Sequence, residues 1–327
     1  MESPNNLWMK RHYLRRHLRS FFELHDYIEV DTPILVTTPA MEVHLDFFRS
    51  QWTDFRGANH PLYLRTSPEL QMKPCLATGL DRIYQIGPCF RNLGELGPIH
   101  HPEFAMLEYY HSGISFEDFV AFTYEILREN WQHLAKQGAA IPCALPKSPE
   151  KITVKQAFQD FAKIDLIDLD LDLAAKAKAS GNTSVNLHDD FETAYFKVLI
   201  DQIEPRLKAL GCVVLCDYPP SQAALAEVEN GIAKRFELYI DGIELCNGFR
   251  ELVDHDENKQ RFHQINIERL KLNKEPLDID HEFFEALRKG IKPCCGNAIG
   301  LDRWLAIING QTNLDAVVPF RTSRPFA

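Results

Sequence analysis

The chain has 327 residues, 45% hydrophobic and 25% charged, enough for one large domain or two ordinary ones around a substantial core. Its 36 Lys and Arg against 46 Asp and Glu give a formal charge of −10, which disfavours sequence-independent binding to a phosphate backbone. Eight cysteines without a Cys-x-x-Cys pair argue against a zinc ribbon or a small disulfide-stapled fold and point to reduced cytosolic thiols.

The opening MESPNNLWMKRH has no apolar signal-peptide core, and no apolar run approaches the ~20 residues of a membrane span, so a cytoplasmic chain is expected. Residues 8–26 predict a helix whose apolar stripe is Leu14, Leu18, Phe21 and Phe22. Arg11, Arg15, Arg16 and Arg19 lie largely off that stripe, which fits a solvated face or one that meets an acidic partner. YIEVDTPIL then predicts a short strand stopped by Pro33. Strands are expected at 62–64 and 83–86, with a helix between them opened by Ser67 as N-cap and Pro68 as first helical residue.

Residues 87–110, GPCFRNLGELGPIHHPEFAMLEYY, predict a hairpin. Strand alternation puts Gly87, Cys89 and Arg91 on one face of its first arm, and Phe104, Met106, Glu108 and Tyr110 on one face of its second. An aromatic, a carboxylate and a phenol in line are unremarkable facing solvent; facing a cleft they would hold a planar ring, an ammonium and a hydroxyl acceptor. A helix follows at 116–137. Residues 138–225 differ in character, with prolines, the acidic run DLIDLDLDL and a helical ETAYFKVLIDQIEPRL, and predict an insertion between two halves of a catalytic domain. The acidic run is not a calcium loop: counting from Asp168, Leu173 and Ala179 stand where the Gly and Glu are needed.

Asp241-Gly242 predicts a two-residue hairpin turn that pairs Tyr239 with Glu244 and leaves Glu237 on the same face. Two carboxylates meeting there point to a divalent cation, with a solvated acidic edge as the plain alternative. Asn247, Phe249 and Glu251 have the opposite parity, and a bulge at Gly248 would turn them to that face. In CCGNAIGLDRWLAIING, two glycines permit close approach to a ligand, and Arg303 falls in the first turn of a helix, a placement that suits a polyphosphate. The short hairpin-linked strands with helices grouped around them make the fold class α+β on an antiparallel sheet.

At these segments the chain resembles the catalytic domain of a class II aminoacyl-tRNA synthetase, closest to the lysyl branch. HDYIEVDTPIL is similar to motif 1, FRNLGELGPIHHPEFAMLEYY to motif 2 and GNAIGLDRW to motif 3; RTSPELQMK and ELCNGFREL resemble lysyl-branch segments outside them. The matches run in order from about residue 20 to 310. Motif 1 begins almost at the N-terminus, so a single catalytic domain over 1–327 without an anticodon-binding domain is expected, and Ala298 stands where the lysyl branch carries Gly. Both features resemble the truncated branch of the family that attaches β-lysine to a lysine side chain of elongation factor P.

The resemblance implies ATP and Mg²⁺ as cofactors, elongation factor P rather than tRNA as partner, and a homodimer through the motif 1 region. It implies that Arg91 clamps the α-phosphate and substrate carboxylate, Arg303 faces the leaving pyrophosphate, Phe104 stacks on adenine, and His100 and Glu95 contact ATP. Glu237 and Glu244 would hold Mg²⁺, with Glu244 also an ATP contact. Glu69, Glu108, Tyr110, Asn247, Phe249, Glu251 and Ala298 would form the amino-acid pocket. The motif 2 loop departs from the family with an extra residue in Leu93-Gly94-Glu95 and Ile99 at a basic position, and Pro74 replaces a basic residue. Two other readings stay open: a truncated enzyme that charges tRNA, and a catalytically silent regulatory paralogue, against which Arg91 and Arg303 count.

Overall fold

The computed structural model describes residues 4–94, 97–136 and 145–318. It divides into two compact units, Met1–Cys143 with Glu251–Ala327, and Ala144–Arg250. In the first unit, helix α1 (Pro4–Leu24) buries the stripe of Leu14, Leu18, Phe21 and Phe22. Strand β1 (Ile28–Glu29) follows, then a three-stranded sheet of β2 (Leu35–Val36), β3 (Arg49–Thr53) and β4 (Asn59–Leu64) in the order β2-β4-β3. Next come helix α2 (Glu69–Ala77), the hairpin β5 (Arg82–Phe90) and β6 (Glu103–Ser112), and helix α3 (Phe116–Lys136), which packs on α1. Phe22 stacks on Tyr84 at 4.5 Å and Tyr27 on Phe122 at 5.6 Å, so aromatic contacts join α1 and α3 to the sheet.

Arg65 ties the chain after motif 1 to β5. Its guanidinium is 1% exposed and donates to the carbonyls of Thr32 (2.9 Å), Pro33 (3.3 Å) and Pro88 (3.1 Å) and to Thr32 Oγ1 (2.9 Å). A buried cation is tolerated when its donors are satisfied in this way. Gly87 makes room for it, since a Cβ there would collide with Arg65 Nη2.

The second unit begins with β7 (Glu150–Thr153) and four short helices, α4 (Val154–Ala157), α5 (Leu173–Ala179), α6 (Phe191–Val198) and α7 (Glu204–Leu210). Its strands β8 (Cys212–Tyr218), β9 (Val228–Glu229), β10 (Ile232–Ile240) and β11 (Ile243–Arg250) complete a sheet ordered β11-β10-β8-β7, with β9 beside β10. Its core includes Phe158, Tyr195, Val213, Leu215 and Tyr239. The unit extends past the 138–225 expected of an insertion, because β10 pairs with β8 on one side and β11 on the other. Residues 212–218 were not anticipated as a strand; CVVLCDY is a continuous apolar run without the alternation of a half-buried strand, and it is buried along nearly its whole length.

The chain then returns to the first unit with α8 (His255–Lys271), α9 (His281–Lys289), β12 (Cys294–Gly300) and α10 (Leu301–Ile308). Asp254 and Asp280 cap α8 and α9 by accepting from the Glu257 and Phe283 N–H groups. The unit's main sheet is ordered β1-β5-β6-β12. Antiparallel pairs dominate both sheets, and each ends in one parallel pair, β1 with β5 and β7 with β8. Among the described residues no helix is long and apolar enough to cross a membrane.

Phe158 is fully buried and stacks on Tyr195 at 5.1 Å. Phe158→Ala is expected to destabilise the second unit by about 3–5 kcal/mol, read as a lower urea midpoint in a tryptophan-independent probe such as far-UV circular dichroism.

Candidate functional site

The first unit gathers a buried acidic cluster. Register pairs Cys89 with Phe104, Gly87 with Met106, Gln85 with Glu108 and Ile83 with Tyr110 across β5 and β6. Gly296, Ala298 and Gly300 of β12 lie opposite Tyr110, Glu108 and Met106. Phe104, Glu108, Tyr110 and Ala298 therefore share one face of the sheet. Glu108 is 3% exposed; it accepts from Tyr110 Oη at 2.6 Å and Ser67 Oγ at 2.7 Å. The helix α2 starts at Glu69, one residue later than expected, with Pro68 at its N-cap. Ser67 still serves that end, accepting from the Glu69 N–H at 3.0 Å while its hydroxyl proton goes to Glu108.

One turn along α2, Lys73 lies 2.7 Å from Glu69 Oε1 and 2.7 Å from Glu251 Oε2. Two carboxylates thus share one ammonium, and the Glu108 carboxyl is held apart by Tyr110 and Ser67. Burial, then the charge of Glu69, pushes the Glu108 carboxyl up to about 7. Burial pushes Glu251 up to about 8 against the opposing pull of Lys73. Burial alone would lower the Lys73 ammonium, but Glu251 and Glu69 together raise it well above the usual lysine range. Gly296 is what leaves space here: a Cβ on it would collide with Glu251 Oε1 and the Tyr110 ring.

At the open end of the hairpin, Arg91 is exposed and its guanidinium lies over the Phe104 ring, 5.3 Å from the centroid. Arg303 stands in the first turn of α10; its Nη2 donates to His100 Nε2 at 3.0 Å and its Nε to the Ile99 carbonyl at 3.4 Å. His100 accepts through Nε2, since a guanidinium only donates. Its neighbour Asp302 accepts from Arg11 at 2.6 Å and from the Ala105 N–H at 2.8 Å, locking α1, β6 and α10 together. Arg91, Phe104, His100 and Arg303 make a basic and aromatic surface suited to a nucleotide. Glu95 lies outside the described residues.

In the second unit, Asp241 (φ 54°) and Gly242 (φ 76°) form the expected hairpin turn, and Tyr239 pairs with Glu244. The bulge is not at Gly248, which pairs regularly with Phe236; it falls at Leu245, where the register shifts between Leu238 and Tyr239. One extra residue there puts Arg235, Glu237, Tyr239, Glu244, Asn247 and Phe249 on a common face. The expected clash of carboxylates is answered by a cation from the protein itself. Arg235, half-buried, donates to Glu237 Oε1 at 2.5 Å, to Asn247 Oδ1 at 3.2 Å and to the Gln222 carbonyl at 2.8 Å, and lies over Tyr218 at 4.4 Å. Glu237 Oε2 accepts from Tyr239 Oη at 2.7 Å. Both Glu237 oxygens are thus engaged, which removes the charge argument for a cation at that residue; Glu244 is half-buried. No cluster of three or more His, Cys, Asp or Glu arranged to hold a metal occurs among the described residues.

Sequence reasoning passed over Lys73 and Arg235. The i, i+4 spacing of Glu69 and Lys73 was a usable signal for the first. The i, i+2 spacing of Arg235 and Glu237 on one strand face was a signal for the second, whose other partners, Tyr218, Gln222 and Asn247, come from elsewhere in the chain.

Residues 2–324 match the family described as tRNA synthetases class II (D, K and N). Similar chains carry the name elongation factor P--(R)-beta-lysine ligase. That of Vibrio atlanticus (strain LGP32) is 35% identical over 312 residues, 93% of this chain and 91% of that one. That of Hamiltonella defensa is 33% identical over 328 residues, 98% and 97%. That of Vibrio cholerae (strain N16961) is 32% identical over 320 residues, 95% and 94%.

Two expectations follow from the acidic cluster. A carboxyl raised to about 7 contributes stability that is present below its unfolded value of 4.5 and lost as pH rises through about 7. Melting curves of the ligand-free protein between about pH 5 and 8 should therefore show wild type losing stability relative to Glu108→Gln. Gly296→Ala should cost about 1–3 kcal/mol by overpacking, read from urea unfolding, and should weaken binding of any ligand that enters the cluster.

Proposed function

We propose that this chain, which belongs to the class II tRNA synthetase family (D, K and N) in the branch of the elongation factor P–(R)-β-lysine ligases, activates (R)-β-lysine with ATP and transfers it to a lysine of elongation factor P. The observation that carries the substrate class is the buried cluster of Glu69, Glu108 and Glu251 beside Ala298. Buried carboxylates need positive partners, and a diamino acid supplies two. The names of the relatives support the acceptor.

In the first step the substrate carboxylate attacks the α-phosphorus, pyrophosphate leaves and the aminoacyl-adenylate forms. Arg91 would bind the α-phosphate and the substrate carboxylate, stabilising the charge that develops between them. Phe104, with one face under Arg91, would stack its ring on adenine. His100 and Arg303, already in contact, would face the β- and γ-phosphates. In the second step the neutral amine of the acceptor lysine attacks the adenylate carbonyl, an amide forms and AMP leaves.

Glu69, Glu108 and Glu251 would hold the substrate ammonium groups, with Tyr110 and Ser67 fixing Glu108 in place. Asn247 and Phe249 keep the pocket roles that the family resemblance gives them; Arg235 turns the Asn247 amide so that its oxygen is occupied and its NH₂ is left to donate. The methyl of Ala298 opposite Glu108 would favour the β-isomer by roughly 1–3 kcal/mol. Magnesium bound with ATP would neutralise the triphosphate, held by Glu244 and Glu237 as the family resemblance implies, although both Glu237 oxygens are already engaged by Arg235 and Tyr239. We place the protein in the cytoplasm, as a homodimer through the motif 1 region, with a single class II catalytic domain that carries an insertion at about 138–225.

Incubation with ATP, (R)-β-lysine or α-lysine, and either elongation factor P or tRNA, followed by mass measurement of each acceptor, tests the reading. The factor should gain one β-lysyl group; modified tRNA with unmodified factor overturns the proposal. In ATP–pyrophosphate exchange, Arg303→Ala should lower the rate by about 10²–10³-fold.

A further inference from the structure

Arg269 has no part in the steps above, yet it is a cation only 2% exposed. It lies in the last turn of α8, and the way that helix stops fixes its surroundings. Asn273 takes the left-handed conformation (φ 56°), which asparagine tolerates better than most residues. The Asn273 N–H donates to the Leu270 carbonyl at 3.0 Å and the Lys274 N–H to the Arg269 carbonyl at 2.8 Å. This is a Schellman stop, and it folds Lys274 and Glu275 back over the helix end.

Two cations, Arg269 and Lys274, therefore meet the segment 42–46. Arg269 Nη1 donates to the carbonyls of Glu42 (2.9 Å), Val43 (3.2 Å) and Leu45 (3.1 Å), and Nε to that of Glu275 (2.9 Å). Its guanidinium lies over the Phe47 ring, 5.2 Å from the centroid. Lys274 Nζ donates to the His44 carbonyl at 2.9 Å and to Asp46 Oδ2 at 2.8 Å. Four carbonyls in succession are thus satisfied by two side chains. Carbonyls turned together in this way need donors between them, because a buried acceptor without one is costly.

The same segment reaches the strand that carries Arg91. Asp46 bridges Asn92, whose N–H donates to the Asp46 carbonyl at 2.9 Å. Two residues back, the Phe90 N–H donates to the Arg65 carbonyl at 2.9 Å; between them the Arg91 N–H donates to the Pro102 carbonyl at 2.9 Å, across the hairpin. The backbone at Arg91 is held by these three bonds, and the last of them depends on where Asp46 sits.

We propose that Arg269 is a positioning residue for adenylate formation: by gathering 42–46 it sets the Asp46 carbonyl, which fixes Asn92 and so keeps the Arg91 guanidinium over Phe104. This rests on the reading of Arg91 given above and extends it to the end of α8. Lysine is no substitute, since a compact ammonium cannot span the carbonyls that the planar guanidinium joins. A displacement of the Arg91 charge by about 1 Å is enough to cost on the order of 10²-fold in rate.

A double-mutant cycle in ATP–pyrophosphate exchange with (R)-β-lysine tests this. Arg269→Lys should lower kcat/KM for ATP by about 10- to 100-fold. In the Arg91→Ala background it should lower it no further, because the group it positions is gone. A residue that only keeps the chain folded lowers the rate by the same factor in both backgrounds, and that result overturns the proposal, as does a wild-type rate in Arg269→Lys. If Arg269→Lys does not fold, Lys274→Met takes its place in the cycle, since Lys274 is 22% exposed and holds the same segment. A loss seen only when Arg91 is present then supports the proposal; equal losses, or a Lys274→Met that also fails to fold, overturn it. If the wild-type protein does not exchange, or Arg91→Ala exchanges as fast as wild type, the reading of Arg91 fails and takes this proposal with it. A slow Arg91→Ala with equal losses in the two backgrounds removes this proposal alone.

Discussion

Burying charge is the constraint around which the first unit is arranged. Glu108, Glu251 and Lys73 are each at most 3% exposed, in a protein interior where an uncompensated ion is among the most costly features. Each is therefore supplied with partners from a different element. Ser67 reaches Glu108 from the start of α2, Tyr110 from β6 itself, and Lys73 reaches Glu251 from the next turn of the same helix. The pairings require β5, β6 and β12 in one register and a glycine at position 296. Fold and site are one problem here, because the strand order that closes the sheet also brings the carboxylates together.

The same logic governs the second unit at Arg235. A guanidinium on a side chain 16% exposed satisfies Glu237, orients Asn247 and lies over Tyr218, so the carboxylate-rich hairpin carries its own counter-charge. Burial would lower the guanidinium's affinity for its proton, but Glu237 outweighs it and the net direction is upward. Both units thus place a cation among acidic and phenolic groups, Lys73 in the first and Arg235 in the second. The difference lies in what remains. In the second unit the ion pair is closed, with both Glu237 oxygens engaged, whereas in the first three carboxylates outnumber one ammonium.

The face of β6 was legible from alternation alone, because a strand offers two directions and Phe104, Glu108 and Tyr110 share a parity. The turn at Asp241-Gly242 was legible for the same local reason: both residues take positive φ, which few residue pairs adopt readily. The bulge was not. Gly248 was the residue that invited it, yet the extra residue is Leu245, and its placement follows from how β11 pairs with β10 along its whole length. The strand at 212–218 was hidden by being buried on both faces, which erases the period-two signal.

Residue types, spacing and ordered motifs determined by themselves that this chain has an α+β catalytic fold of the class II synthetase kind. These are properties of short segments, where periodicity and turn stereochemistry act over a few residues. Only the tertiary structure decided how the charges are balanced. That Lys73 serves Glu251, 178 positions away by number (251 − 73), that Arg235 reaches Asn247 and the Gln222 carbonyl, and that Ala298 faces Glu108 all depend on long-range pairing. Electrostatic energy depends on distance in space and on burial, and neither is written in the order of residues along the chain.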